Sequence, residues 1–170
     1  MLKNLAKPEG QFSRGRGLQI GASSRPQGSL LFMVDIDMVF RAPLLTKILS
    51  HTKLGQAYMP IVFSQFEKRE NTRMALDGTI SIKDKSSDDN FLISTYQGFW
   101  RTYGFGMVSV YKDDLIDSGG YDMTIKGWGM EDVELADALV HNKVRIIRAK
   151  EPDLIYVFHD KVNFLSVRSA

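Results

Sequence analysis

The sequence predicts an α/β fold, a mixed sheet with flanking helices, and three observations carry that prediction. An unbroken apolar run, Leu30-Leu31-Phe32-Met33-Val34, stops abruptly at Asp35-Ile36-Asp37. Apolar residues without alternation suit a strand covered on both faces. Helix-spaced apolar patterns follow at 43–51 and 131–141, and short strand-like runs at 57–66, 108–111, 144–147 and 154–158 are interspersed with them. With 170 residues, 44% hydrophobic and 25% charged, the chain can bury the core of one domain, so residues 1–170 are read as a single unit.

Taken in order, residues 13–21 form a short helix capped by Ser13, in which Gly15 and Gly17 each cost roughly 1 kcal/mol relative to alanine. The stretch 22–29, rich in Ser, Pro and Gly, is a loop leading into the apolar strand at 30–34. Proline at 43 suits the first turn of a helix that carries Leu44, Leu45, Ile48 and Leu49 and ends near His51. A second strand occupies 57–66. Residues 67–90 are polar and charged, a surface excursion with a short hairpin through 79–82. From Gly98 to Met107 the chain is dense in aromatics and glycine, and a strand follows at 108–111. A short helix at 113–118 is stopped by Gly119 and Gly120. The helix at 131–141 turns Val133, Leu135, Ala136, Leu139 and Val140 to its apolar side. Two short strands close the order, the second running into His159. No internal repeat is visible.

Charge and composition exclude several classes. Against 22 basic residues stand 20 acidic ones, and a formal charge of +2 makes no field of the kind that marks a nucleic-acid binder. Without cysteine there is neither a disulfide framework nor a thiolate zinc site. The longest apolar runs fall far short of the ~20 residues of a membrane-spanning helix. The opening residues carry lysines with no apolar stretch behind them, so they are not a signal peptide, and any membrane anchor is expected outside these residues.

The chemistry gathers in three places. Alternation along a strand points Asp35 and Asp37 the same way at the sheet's carboxyl edge, where two carboxylates suit a hard cation such as magnesium or manganese. The same tripeptide also serves as a surface turn or a helix cap, but a buried strand that delivers two charges to its tip demands a partner. In Gly127-Trp128-Gly129-Met130-Glu131-Asp132, glycines free the backbone around a flat ring that can stack on a sugar, and a carboxylate opening the next helix can take a proton from a hydroxyl. The plainer reading puts Trp128 in the core and leaves the acids to complement the helix dipole. His159, after an apolar strand, can complete a metal site made otherwise of oxygen, although a lone histidine there is more often structural. His51 and His141 sit at helix ends and complement the dipoles. Aromatics from Phe99 to Phe105 line a pocket or fill the core; Arg101, Lys126 and Lys161 face an anion or solvent.

These pieces fall into one order. Phe12-Ser13-Arg14, then Leu31-Phe32-Met33-Val34-Asp35-Ile36-Asp37-Met38-Val39-Phe40, then Phe99-Trp100-Arg101-Thr102-Tyr103-Gly104-Phe105-Gly106, Gly119-Gly120-Tyr121-Asp122, Lys126-Gly127-Trp128-Gly129-Met130-Glu131-Asp132-Val133 and Phe158-His159 together resemble the chondroitin N-acetylgalactosaminyltransferase family. That family includes the chondroitin synthases and polymerising factors and is related to the β-1,4-galactosyltransferases. The resemblance implies a GT-A glycosyltransferase fold, with this chain as the C-terminal part of the catalytic domain and the N-terminal nucleotide-binding strands missing. It implies inverting transfer from UDP-N-acetylgalactosamine (UDP-GalNAc) to the 4-hydroxyl of a terminal glucuronic acid in a glycosaminoglycan, with manganese preferred and magnesium tolerated.

By position, the resemblance makes Phe12, Arg14, Asp35 and Ile36 donor and nucleotide contacts, and Asp37 and His159 metal ligands. Trp128 and Glu131 match acceptor-side residues, and Asp132 matches the catalytic base. Tyr103 lies where relatives sense the donor's N-acetyl group. One departure is Tyr156, which stands where relatives place a second metal ligand, Met or His. The family also implies a Golgi membrane location with a lumenal catalytic domain, and hetero-oligomers with other chondroitin-synthesising subunits. A non-catalytic partner subunit, a β-1,4-hexosyltransferase with another acceptor, and a lectin-like module that uses Trp128 alone are the alternatives.

Overall fold

The computed structural model describes residues 12–67, 91–125 and 129–159. Its elements are α1 (Arg14–Ser23), β1 (Leu30–Met33), β2 (Met38–Phe40), α2 (Pro43–His51), β3 (Gln56–Tyr58), β4 (Ile61–Gln65), β5 (Gly98–Trp100), β6 (Val108–Tyr111), α3 (Lys112–Asp117), α4 (Glu131–His141), β7 (Arg145–Ile147) and β8 (Lys150–Tyr156). The strands make two four-stranded sheets, ordered β1-β6-β3-β7 and β2-β8-β4-β5. Each is mixed: β3 runs parallel to β7 and β4 to β8, while the other pairs are antiparallel. The chain is thus a mixed α/β protein, as its sequence predicts.

The strand expected over 57–66 is two strands in two sheets. Pro60 supplies no N–H, so the ladder is interrupted there and resumes beyond it. On either side the pairing continues, with the Met59 N–H donating to the Ile147 carbonyl (2.9 Å) and the Ile61 N–H to the Ala149 carbonyl (2.8 Å). One two-stranded ribbon therefore passes from the first sheet into the second.

The unbroken apolar run at β1 has its explanation in two core clusters. Leu31 and Met33 join Ala57, Met59, Val108 and Leu139 on one side. Leu30, Phe32 and Val34 pack on the other against a cluster that holds Met38, Leu44, Tyr58 and Leu154. Both faces are covered, so both need apolar side chains. β1 nevertheless sits at the sheet edge, paired only with β6 among the described strands, and the pairing is antiparallel.

Ser13 caps α1 by accepting the Arg16 N–H, and its hydroxyl donates to the Ile125 carbonyl at 2.9 Å. The helix continues two residues past the predicted end. Gly15, unfavourable for helix propensity, has a packing role: a Cβ there would lie 3.3 Å from Glu131 Cβ, so glycine lets α1 approach the start of α4. On α4 the buried stripe is Leu135, Ala136 and Leu139, with Glu131 at its head, while Val140 is exposed rather than apolar-facing as expected. A stripe that narrow excludes Val140, one step of about 100° beyond Leu139. His51 Nδ1 and His141 Nδ1 each lie 2.8 Å from the carbonyl four residues earlier, within the last turns of α2 and α4. The hairpin expected at 79–82 lies outside the described residues, as do Trp128, Lys126 and Lys161. No helix among the described residues is long and apolar enough to cross a membrane.

Candidate active site

β1 ends at Met33, so strand alternation does not aim the two aspartates; a turn does. The Met38 N–H donates to the Asp35 carbonyl (3.3 Å), and the Asp35 N–H reaches Met107 Sδ (3.5 Å). The carboxylates then take different partners. Asp35 Oδ1 accepts a fork from Arg14, with Nε at 2.9 Å and Nη2 at 2.8 Å. Asp37 Oδ2 lies 3.1 Å from His159 Nε2. Ile36 between them is fully exposed. The two acids still share one neighbourhood: burial, and then the negative charges of Asp37 and Asp35 against the opposing Arg101, raise the pKa of the Tyr156 phenol.

Arg14 ties the strand tip to two other segments. Its Nη1 lies 3.3 Å from Glu131 Oε1, and its Nη2 also donates to the Gly106 carbonyl (2.9 Å). The Arg14 side chain is only 10% exposed and that of Glu131 only 3%. Burial works against the guanidinium charge, but the hydrogen bond and charge of Asp35, with Tyr121 and Glu131, outweigh it and raise the Arg14 pKa. Tyr121 is buried beside this group; desolvation, and the nearby charges of Asp132, Glu131 and Asp35 against that of Arg14, push its pKa up. Its hydroxyl donates to Met33 Sδ at 2.9 Å.

The start of α4 supplies the remaining acids. Met130 takes a left-handed conformation (φ 71°), a strained choice for a residue with a Cβ, and makes no side-chain cap. Glu131 turns back to accept the Gly129 N–H at 2.7 Å, which fixes the chain entering the helix. Asp132 Oδ2 accepts the Phe105 N–H at 2.8 Å. Carboxylates in this first turn are also favoured by the helix dipole.

Of the sequence-predicted residues, Arg14, Asp35, Glu131 and Asp132 therefore meet around the 104–107 loop, and Asp37 meets His159. Phe12 is 68% exposed and Trp128 lies outside the described residues. Asp37 Oδ1 is buried without a hydrogen-bond partner, the kind of orphan oxygen a cation would satisfy. Among the described residues no three His, Cys, Asp or Glu side chains gather at metal-holding spacing, so this pair would share an ion with oxygens from elsewhere. Tyr121, the Gly106 carbonyl and the Phe105 N–H were not singled out from the sequence as site groups. The signal was present in the glycine-flanked positions of 104–106 and 119–121. An apolar pocket of about 490 Å³ opens beside β4 and β5, lined by Phe63, Phe66, Phe99 and Trp100 among others.

Acidic side chains clustered at the end of a strand mark a candidate ligand site at the sheet edge of this α/β protein. Residues 2–164 match the family described as chondroitin N-acetylgalactosaminyltransferase, and the chain belongs to that family. It is 35% identical over 152 residues to chondroitin sulfate synthase 3 of Mus musculus, covering 89% of this chain and 16% of that protein. Chondroitin sulfate N-acetylgalactosaminyltransferase 1 of Homo sapiens is 33% identical over 159 residues, covering 89% and 28%. A more distant relative, N-acetyl-beta-glucosaminyl-glycoprotein 4-beta-N-acetylgalactosaminyltransferase 1 of Mus musculus, is 27% identical over 167 residues, covering 96% and 14%. The chain thus spans between 14% and 28% of the length of these relatives.

Proposed function

We infer that this chain is part of a GT-A glycosyltransferase domain that moves N-acetylgalactosamine from UDP-GalNAc to the 4-hydroxyl of a terminal glucuronic acid in chondroitin. The observation that carries the reading is the meeting of Arg14, Asp35, Glu131 and Asp132 around one loop, with Asp37 and His159 at the same strand tip. Family membership supports the transferase class, and the relatives' names supply the donor sugar and the chondroitin product.

In this reaction Asp132 takes the proton of the acceptor hydroxyl as its oxygen bonds to C1 of the donor sugar. The C1–phosphate bond breaks from the opposite face and UDP departs with the bonding pair, so the anomeric configuration inverts. The Phe105 N–H fixes the Asp132 carboxylate. Arg14 holds Asp35 and Glu131 in place, and the exposed Phe12 and Ile36 are available to the nucleotide. Trp128 and Glu131 serve the acceptor side. Asp37 and His159 offer the oxygen and nitrogen donors that suit manganese or magnesium, and the orphan Asp37 Oδ1 fits that role. When bound, such an ion neutralises charge on the departing diphosphate. The same reading puts the protein in the Golgi lumen, working alongside other chondroitin-synthesising subunits.

A second reading, a non-catalytic partner subunit, is favoured by Tyr156, a phenol and so a poor ligand unless ionised, at the position where relatives place Met or His. A radiolabelled-donor assay on the full-length protein, with and without manganese and with oligosaccharides of each terminal sugar, separates the two. Asp132→Asn is expected to lower transfer by about 100-fold or more while leaving UDP binding intact. Normal turnover by that variant would remove Asp132 from its role, and no transfer by the wild type would favour the partner subunit.

A further inference from the structure

Arg148 lies between β7 and β8, where the ribbon passes from one sheet to the other. Its Nη2 donates to the Gly104 carbonyl at 3.0 Å, and its guanidinium carbon sits 4.5 Å from the centre of the Phe105 ring. No carboxylate among the described residues pairs with it; those residues pair Arg14 and Lys47 with acids instead. Its Nε is buried with no hydrogen-bond partner. The side chain is partly buried, and that burial lowers its pKa with no acid among the described residues to offset it.

The Gly104 carbonyl and the Phe105 N–H are the two ends of one peptide unit. Arg148 holds the first end and Asp132 accepts from the second. Two hydrogen bonds and a planar peptide therefore separate Arg148 Nη2 from Asp132 Oδ2, a span of about 8 Å at most. In a glucuronic acid the carboxylate is carried on C5, the carbon next to the one that bears the 4-hydroxyl. An acceptor that offers this hydroxyl to Asp132 brings its own anion within reach of Arg148.

We propose that Arg148 recognises the carboxylate of the uronic acid acceptor, its uncompensated guanidinium fixed across the Gly104–Phe105 peptide from the Asp132 base. This inference rests on the transferase reading above and adds to it a residue that determines acceptor class. A neutral terminal sugar leaves the guanidinium charge unmatched, so discrimination comes from a penalty on the wrong acceptor as well as from attraction to the right one.

The test compares two acceptors on the full-length protein: a chondroitin oligosaccharide ending in glucuronic acid, and its carboxyl-reduced counterpart ending in glucose. Arg148→Gln removes the charge and, being shorter, also the bond to the Gly104 carbonyl, so the comparison of the two acceptors separates charge recognition from bracing of the loop. Wild type is expected to favour the acidic acceptor in kcat/KM, and Arg148→Gln to shrink that preference by about tenfold or more, chiefly through KM of the acidic acceptor. Arg148→Lys, which restores the charge, is expected to regain part of the preference. An unchanged preference in Arg148→Gln, or equal losses on both acceptors in both variants, would overturn the inference and leave Arg148 as a brace for the loop. Wild-type protein inactive on both acceptors would overturn the transferase reading, and this inference with it.

Discussion

Replacing Arg14 with methionine removes the cation on which the whole acidic group closes, while keeping an unbranched side chain in the space. Three losses follow. Glu131, at 3% exposure, loses its counter-charge, and breaking a buried pair costs about 3–5 kcal/mol. It keeps the Gly129 N–H at 2.7 Å and its place at a helix start, which moves the cost to the low end of that range. Asp35 is 36% exposed, so solvent screens its loss to under about 1 kcal/mol. The Gly106 carbonyl loses a donor, and methionine returns some apolar burial. The net is a destabilisation of about 3 kcal/mol, which for a chain of this size lowers Tm by about 6–12 °C. Circular dichroism melts of the wild type, Arg14→Met, Glu131→Gln and the double variant read the pair directly. Because the glutamine has no charge to leave unpaired, the double variant is expected to recover about 1 kcal/mol or more relative to additivity. A single variant that melts within about 2 °C of wild type, or a double variant that is strictly additive, would refute the idea that Arg14 is the electrostatic centre of the site.

Three further outcomes follow from other parts of the structure. Met130→Gly relieves a left-handed residue at φ 71° whose side chain is mostly exposed, and is expected to stabilise the chain by about 1 kcal/mol in denaturant titrations. Gly98→Ala builds a Cβ that would fall 2.1 Å from the Ser64 carbonyl, so it is expected to loosen β5 from β4 and cost about 1–3 kcal/mol in the same titrations. Alkaline stability follows Tyr58, Tyr121 and Lys47. Burial raises both tyrosines, and the hydrogen bond to Glu151 raises Lys47. Each folded-state pKa lies above its unfolded value of about 10, so this stabilisation is intact below pH ~10 and is lost as pH rises through the raised values. Tyrosinate absorbance is expected to show two of the six tyrosines ionising only together with the loss of circular dichroism.

Chain-local facts were legible because they depend on the backbone and on neighbours a few residues away. The Ser13 cap, the α2 boundaries at Pro43 and His51, the stop at Gly119 and Gly120, and the start of α4 at Glu131 are all of this kind. The six ordered motifs from Phe12 to His159 also fixed the family, since a string of residue types in order is a property of sequence alone. Less was legible wherever partners came from afar. Pro60 marks a break in the apolar run, but nothing near it tells that the two halves join different sheets, because the strands they pair with are β7 and β8. Alternation aimed Asp35 and Asp37 together, and only the early end of β1 sent them to Arg14 and His159.

Arg14 read as a nucleotide contact and Arg148 drew no notice, since charge type is visible in a sequence but desolvation is not. The sequence by itself determined the helices, the strands at β1 and β6 and which acids the chain carries, but not β2, β5 or the division of 57–66 into two strands. Tertiary structure alone decided that Arg14 meets Glu131 across 117 positions and that Arg148 meets Gly104 across 44. Electrostatic strength depends on distance and on how much water is excluded, and both exist only once the chain has closed on itself.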